Sequence, residues 1–124
     1  MTACPHTVGA EQTVSFAHTM LYQQRIRQLP VLHGGQLAGL LSERDLTLIA
    51  SLRDVDPNAI KVEEVMSLSI YKVSPDAPLD EVASEMAAKK FGAAIVVENN
   101  AVVGIFTTVD ACAALAAVLK DAYA

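Results

Sequence analysis

Apolar residues return along the chain in two rhythms, and each rhythm occurs twice. Val14, Ala17 and Leu21, and again Leu79, Val82 and Met86, stand at three- and four-residue spacing. That spacing keeps side chains on one face of a helix and predicts two amphipathic helices, each with one buried stripe. Pro75 and Pro78 flank the second of these helix starts, where a fixed φ and a missing N–H are tolerated. After each helix the pattern turns strand-like: Leu29 to His33 and Gln36 to Leu41 around Gly34-Gly35, then Ala94 to Glu98 and Ala101 to Phe106 around Asn99-Asn100. Two-residue connections of these types predict β-hairpins with primed turns, because Gly and Asn tolerate positive φ best. A short extended piece, His6-Thr7-Val8 or Ile70 to Val73, precedes each first helix, and a second helical stretch, Glu43 to Leu52 or Thr108 to Lys120, follows each hairpin.

The two sets are one pattern displaced by 65 residues. Without a gap, Met1 falls on Met66, Val8 on Val73, Val31 on Val96, Gly39 on Gly104 and Asp45 on Asp110. Residue class is kept more widely: Ser42 falls on Thr107, Leu40 on Ile105, Val14 on Leu79, Leu32 on Val97. Turn, glycine and helix start staying in step identify a duplicated unit. The expected division is residues 1–52, a polar linker at 53–61 around Arg53 to Asn58, and residues 62–124, with Lys61 to Val65 as a short helical lead into the second copy. The first copy shows no such lead and begins at Met1-Thr2, so either it is minimal there or the chain has been shortened. The fold class expected is α+β, each copy reading strand, helix, hairpin, helix.

Composition narrows the function. At 124 residues the chain closes one compact core or two very small ones, and 52% hydrophobic residues against 19% charged exclude a disordered chain. Nine basic against 14 acidic residues give a net charge of −5, which offers no basic field to a nucleic acid. Cys4 and Cys112 lie in no CxxC or Cys/His cluster, which reads as reduced thiols inside a cell. The start lacks the basic and apolar regions of a signal peptide, and the apolar stretch Ala111 to Leu119 is far shorter than the ~18 residues of a membrane span, so a soluble cytoplasmic protein is expected, with no membrane partner. Aromatics are 5% with no Trp, leaving an aliphatic core and few stacking platforms. His6, His18 and His33 have no metal-ligand spacing, and no GxSxG, P-loop or GxGxxG occurs, so neither a metal site nor an enzymatic activity is expected.

The chemistry concentrates where a strand ends and a helix begins, at Ser42-Glu43-Arg44-Asp45 and Thr107-Thr108-Val109-Asp110. Two readings apply. In the first the hydroxyl caps the helix by accepting from the third helical N–H while the Asp accepts from the cap's own N–H. In the second the free N–H groups of the helix start attract phosphate, the hydroxyl donates to it, and the carboxylate accepts from a ribose diol. The two do not exclude each other.

Gly-x-x-[Ser/Thr]-x-x-Asp closing both hairpins, Ile26 to Val31 with Leu29-Pro30-Val31-Leu32, Val65-Met66-Ser67 and Phe91 to Val97 together resemble the paired cystathionine β-synthase (CBS) domain, the Bateman module. The resemblance covers nearly the whole chain and implies two CBS repeats packed with pseudo-twofold symmetry. It implies clefts for an adenosine-containing ligand, AMP, ADP, ATP or S-adenosylmethionine, acting as a regulatory ligand with no required cofactor. By the same resemblance Asp45 and Asp110 are the ribose acids and Ser42 and Thr107 the phosphate-side hydroxyls. The adenine walls fall around Thr7-Val8, Lys72-Val73, Pro30-Val31 and Ile95-Val96; ordinary core packing explains any single Val or Ile among them better, and only the cluster points to a ligand.

The copies differ in charge. Arg44 stands beside Asp45 where Val109 stands beside Asp110, and Arg25 and Arg27 add charge near the first hairpin, while the second copy offers Lys72, Lys89 and Lys90. The first site is therefore expected to suit a phosphorylated nucleotide and the second a less charged adenosyl group. The leading expectation is a homodimeric sensor acting on a regulated protein partner. Its rivals are a ligand-free dimerisation or interaction module using the Ala-rich last helix, with Leu115, Val118 and Leu119, and a regulatory fragment of a larger enzyme or transporter.

Overall fold

The computed structural model describes residues 2–3 and 6–123. Met1 and Cys4, which entered the repeat alignment and the thiol count, lie outside the described residues. The chain forms two compact units: His6–Ile70, and residues 71–123 together with 2–3.

In the first unit strand β2 (Val8–Gly9) leads to helix α1 (Val14–Gln24), the hairpin β3 (Gln28–His33) and β4 (Gln36–Ser42), and helix α2 (Glu43–Ala50). The sheet order is β2-β3-β4, with β2 parallel to β3. In the other unit β5 (Lys72–Val73), α3 (Leu79–Lys89), β6 (Ala93–Glu98), β7 (Ala101–Thr107) and α4 (Thr108–Tyr123) repeat the order, and β1 (Thr2–Ala3) adds an antiparallel strand on β7. The result is α+β, as the two rhythms predict.

Both hairpins close as expected. Gly34 and Gly35 have φ of 59° and 80°, Asn99 and Asn100 φ of 53° and 65°, the positive values that a primed two-residue turn requires. The copies even share an irregularity, a register shift between Val31 and Leu32 and between Val96 and Val97. Helices α1 and α3 both end on a left-handed basic residue, Arg25 and Lys90, without the glycine that marks such a stop in sequence.

The short leading strands are offset by one residue between copies, and two prolines explain it. β5 pairs Lys72 with Ile95 and Val73 with Val96, and the Ile95 N–H also donates to the Tyr71 carbonyl at 2.8 Å. The counterpart of Ile95 is Pro30, which has no N–H, so in the first copy pairing starts later, at Val8 with Val31. It also runs further, because Ala10 N–H donates to the Leu32 carbonyl at 2.8 Å. The counterpart of Ala10 is Pro75, which cannot donate, and β5 stops at Val73.

The lead segments are exchanged relative to the sequence repeats. Ser67 bridges Leu40 in the His6–Ile70 unit, with both backbone bonds formed at 2.8 and 2.9 Å. Thr2 pairs with Ile105 in the other unit. Each lead thus completes the sheet made by the other copy's hairpin. The predicted helical lead is a 3-10 turn at Val62–Glu64, and its Val62 is fully buried in the first core. That core also holds Val14, Ala17, Leu21, Leu29 and Leu41, the predicted stripe and strand faces. Each such Leu removes enough apolar surface to contribute roughly 1.5–3 kcal/mol. The second core is built from Val82, Met86, Ala94 and Phe106, with Tyr71 stacked on Phe91 at a ring separation of 5.2 Å.

Candidate functional site

Both strand-to-helix turns carry the reciprocal cap. Asp45 N–H donates to Ser42 Oγ at 3.1 Å and Ser42 N–H donates to Asp45 Oδ2 at 3.3 Å. In the second copy Asp110 N–H donates to Thr107 Oγ1 at 3.2 Å and Thr107 N–H to Asp110 Oδ2 at 2.9 Å. The cap therefore uses one oxygen of each carboxylate, and among the described residues no hydrogen bond engages the other, Oδ1, at a half-buried residue. The hydroxyl proton of Ser42 or Thr107 is also uncommitted, since the oxygen serves the cap only as an acceptor.

The first helical N–H of each turn is consumed as well. Glu43 N–H donates to the Arg27 carbonyl at 2.8 Å, and Thr108 N–H to the Gly92 carbonyl at 3.2 Å. This bond ties the helix start to the residue just before the first hairpin strand. It places Arg27 beside Ser42 and Arg44, although 15 residues separate Arg27 from Ser42 in sequence. Arg27, Gln28, Ser42, Glu43, Arg44, Thr47 and Leu48 line a hollow of about 400 Å³. Arg27 and Arg44 are exposed, and among the described residues neither makes an ion pair.

Four of these residues are not among the predicted site residues. Gln28, Glu43, Thr47 and Leu48 all line the hollow, and Gln28 Oε1 is buried with no hydrogen-bond partner among the described residues. A signal for Gln28 exists: the repeat places Ala93 opposite it, so an amide stands where the other copy has a methyl group. At the counterparts of Arg27, Arg44 and Thr47 the second copy has Gly92, Val109 and Cys112, so its turn offers no guanidinium.

Asp45 and the remaining predicted residues do not line this hollow. Val8, Pro30, Val31, Ile95 and Val96 are buried in the sheets, Val8 and Val31 within the first core. Thr7 and Val73 are half-buried beside them, and Lys72 is exposed.

The duplicated turn, its shared cap and its shared strand register have a counterpart among known proteins: the family model for the CBS domain matches residues 1–51 and 62–117. The chain belongs to the CBS domain family. The CBS domain-containing protein YhcV of Bacillus subtilis is 30% identical over 105 residues, covering 85% of this chain and 74% of that protein. Among solved structures, a Vibrio cholerae protein assigned to acetoin utilization (AcuB) superposes with a TM-score of 0.85 at 30% identity, covering 97% of this chain and 89% of that one. CBSX2, solved in complex with AMP, superposes with a TM-score of 0.82 at 23% identity, covering 95% of this CBS chain and 93% of its own. No helix among the described residues is long and apolar enough to cross a membrane.

Proposed function

We propose that this CBS protein is a regulatory ligand-binding module, with repeats at 1–52 and 62–124 and a linker at 53–61. It takes an adenosine-containing ligand at its strand-to-helix turns and makes or breaks no covalent bond. The observation that carries this reading is the state of Asp45 and Asp110, each with one oxygen held by the backbone and one left for a ligand. A carboxylate fixed in this way is an acceptor-only group aimed without further ordering cost, which is what a ribose diol rewards. The AMP complex of CBSX2 supports the ligand class. Arg27, Arg44 and the Ser42 hydroxyl suit the first turn to a phosphorylated ligand such as AMP, ADP or ATP, and the lack of an arginine at the counterpart positions 92 and 109 suits the second to S-adenosylmethionine. Titration calorimetry of nucleotide-free protein with AMP, ATP, S-adenosylmethionine and GMP tests this. Adenosine-selective heat is expected, with Arg44→Ala weakening ATP more than S-adenosylmethionine. Folded protein that gives no heat with any of the three would overturn it.

A second reading is favoured by α4, where Val109, Leu115, Val118 and Leu119 are exposed and no residue is fully buried. Small residues between them allow close helix approach, so this helix suits pairing of two copies, with or without ligand. Light scattering at micromolar concentration is expected to give twice the chain mass of 13.2 kDa. A monomer mass throughout that range would count against pairing.

A further inference from the structure

We infer that the first repeat carries a further small-molecule site, at the end of α1, that takes a free α-amino acid with an apolar or aromatic side chain. A hollow of about 560 Å³ lies there, within the ~300–1,000 Å³ typical of small-molecule sites. Buried Leu21 and half-buried Ile26 give it an apolar floor, and Tyr22, 82% exposed, has a ring face free to lie against a side chain. Its charges come from Arg25, Arg27 and Glu43, all exposed.

The arrangement of those charges sets the chemistry of the ligand. Glu43 N–H donates to the Arg27 carbonyl at 2.8 Å, so the two residues stand side by side at the hollow. Yet among the described residues neither Arg25 nor Arg27 forms an ion pair with Glu43. A simple anion would gain the guanidiniums but meet the carboxylate, and a simple cation would meet the reverse. A zwitterion satisfies both: its carboxylate pairs with a guanidinium while its ammonium donates to Glu43. An α-amino acid carries that pair of charges on one carbon. Its side chain then lies over Leu21, Ile26 and the Tyr22 ring, where removal from water rewards an apolar or aromatic group. The feature belongs to the first copy: the counterparts of Tyr22, Arg27 and Glu43 are Ala87, Gly92 and Thr108, which supply neither charge nor ring.

Titration of the full nucleotide-free chain, followed by backbone amide shifts in NMR so that weak binding is read, tests this. The probes are L-phenylalanine and L-leucine, with N-acetyl-L-phenylalanine and L-phenylalaninamide each lacking one charge. Both free amino acids are expected to bind, with the largest shifts at residues 18–27. Acetylating the ammonium or amidating the carboxylate is expected to weaken binding roughly 10- to 150-fold, the worth of one charge-assisted hydrogen bond. Glu43→Gln is expected to erase the preference for free over acetylated phenylalanine, an effect that a general disturbance of α2 would not produce, and a thermal melt checks that the fold holds. Tyr22→Ala is expected to weaken L-phenylalanine more than L-leucine. No binding of either free amino acid at millimolar concentration, equal binding of the free and blocked forms, or a preference that survives in Glu43→Gln would overturn the inference. AMP titrated into the same protein reads the adenosine turn separately, so either site can fail while the other stands.

Discussion

Gly39→Ala is expected to lower the melting temperature by roughly 4–12 °C, the equivalent of about 1–3 kcal/mol for overpacking in a chain of this size. Gly39 is buried in β4 opposite Val31, and a Cβ there would collide with Met66, meeting Sδ first, Cγ at 2.7 Å and Cβ at 3.1 Å. Met66 has little room to retreat. Its N–H is held by the Val62 carbonyl at 3.0 Å, and the next residue, Ser67, is bonded in both directions to Leu40, the neighbour of Gly39. The added methyl therefore either forces Met66 out of the core it packs against or breaks the bridge that joins the lead segment to the sheet. A double-mutant cycle separates this clash from a general intolerance of Ala in the strand. Met66→Ala removes the obstructing atoms, so Gly39→Ala is expected to cost markedly less on that background than on the wild type. A wild-type melting temperature for Gly39→Ala, or equal cost on both backgrounds, would show that Met66 does not set the requirement for glycine.

That glycine illustrates what the chain discloses about itself and what it conceals. The 65-residue offset pairs Gly39 with Gly104, so a constraint at this position of the hairpin is visible from the sequence. Its cause is not, because Met66 belongs to the lead of the other copy, and nothing in local periodicity says that a lead segment will pair away from its own hairpin. Hairpins and helix stripes were legible because their determinants are local: two residues tolerant of positive φ, or three apolar residues on one helical face. The one-residue offset of the leading strands was less so, although Pro30 and Pro75 are plain to see. A missing N–H shortens a ladder only once its partner strand is known. The helix stops at Arg25 and Lys90 gave no signal, since a left-handed cap there is held by backbone bonds to the preceding turn rather than by residue type.

The candidate site divides along the same line. The caps at Ser42 and Thr107 follow from residue spacing alone, and the structure forms both. The apolar wall residues Val8, Val31, Ile95 and Val96 are ambiguous from sequence, because core and ligand wall use the same side chains; all four are buried, and Val8 and Val31 pack in the first core. Gln28 and Thr47 join the hollow only because a backbone bond draws the start of β3 to the start of α2, a contact between segments that no local pattern records.

The largest effect on binding is expected from Asp45→Asn, which separates the two duties of that carboxylate. The amide oxygen of Asn retains an acceptor for the Ser42 N–H, now served by Asp45 Oδ2 at 3.3 Å. What it gives up in the cap is the charge at the helix start, worth about 0.3–1 kcal/mol, so the melting temperature falls by only a few degrees. The other oxygen becomes an NH₂ group, a donor facing two donors of the ribose diol. Loss of one charge-assisted hydrogen bond, about 1.5–3 kcal/mol, converts to roughly 10- to 150-fold weaker binding of AMP or ATP at the first repeat. Asp45→Ala is expected to match that binding loss while also losing the cap, a further stability cost of about 0.5–2 kcal/mol. Calorimetry and thermal melts on the two variants, with Asp110→Asn beside them, resolve the roles. If the carboxylate serves only as a cap, Asp45→Asn binds as tightly as the wild type and only Asp45→Ala is perturbed. If it serves the ligand, affinity collapses in Asp45→Asn while the fold holds. The ligand for which Asp110→Asn reproduces that collapse is the one taken by the second repeat.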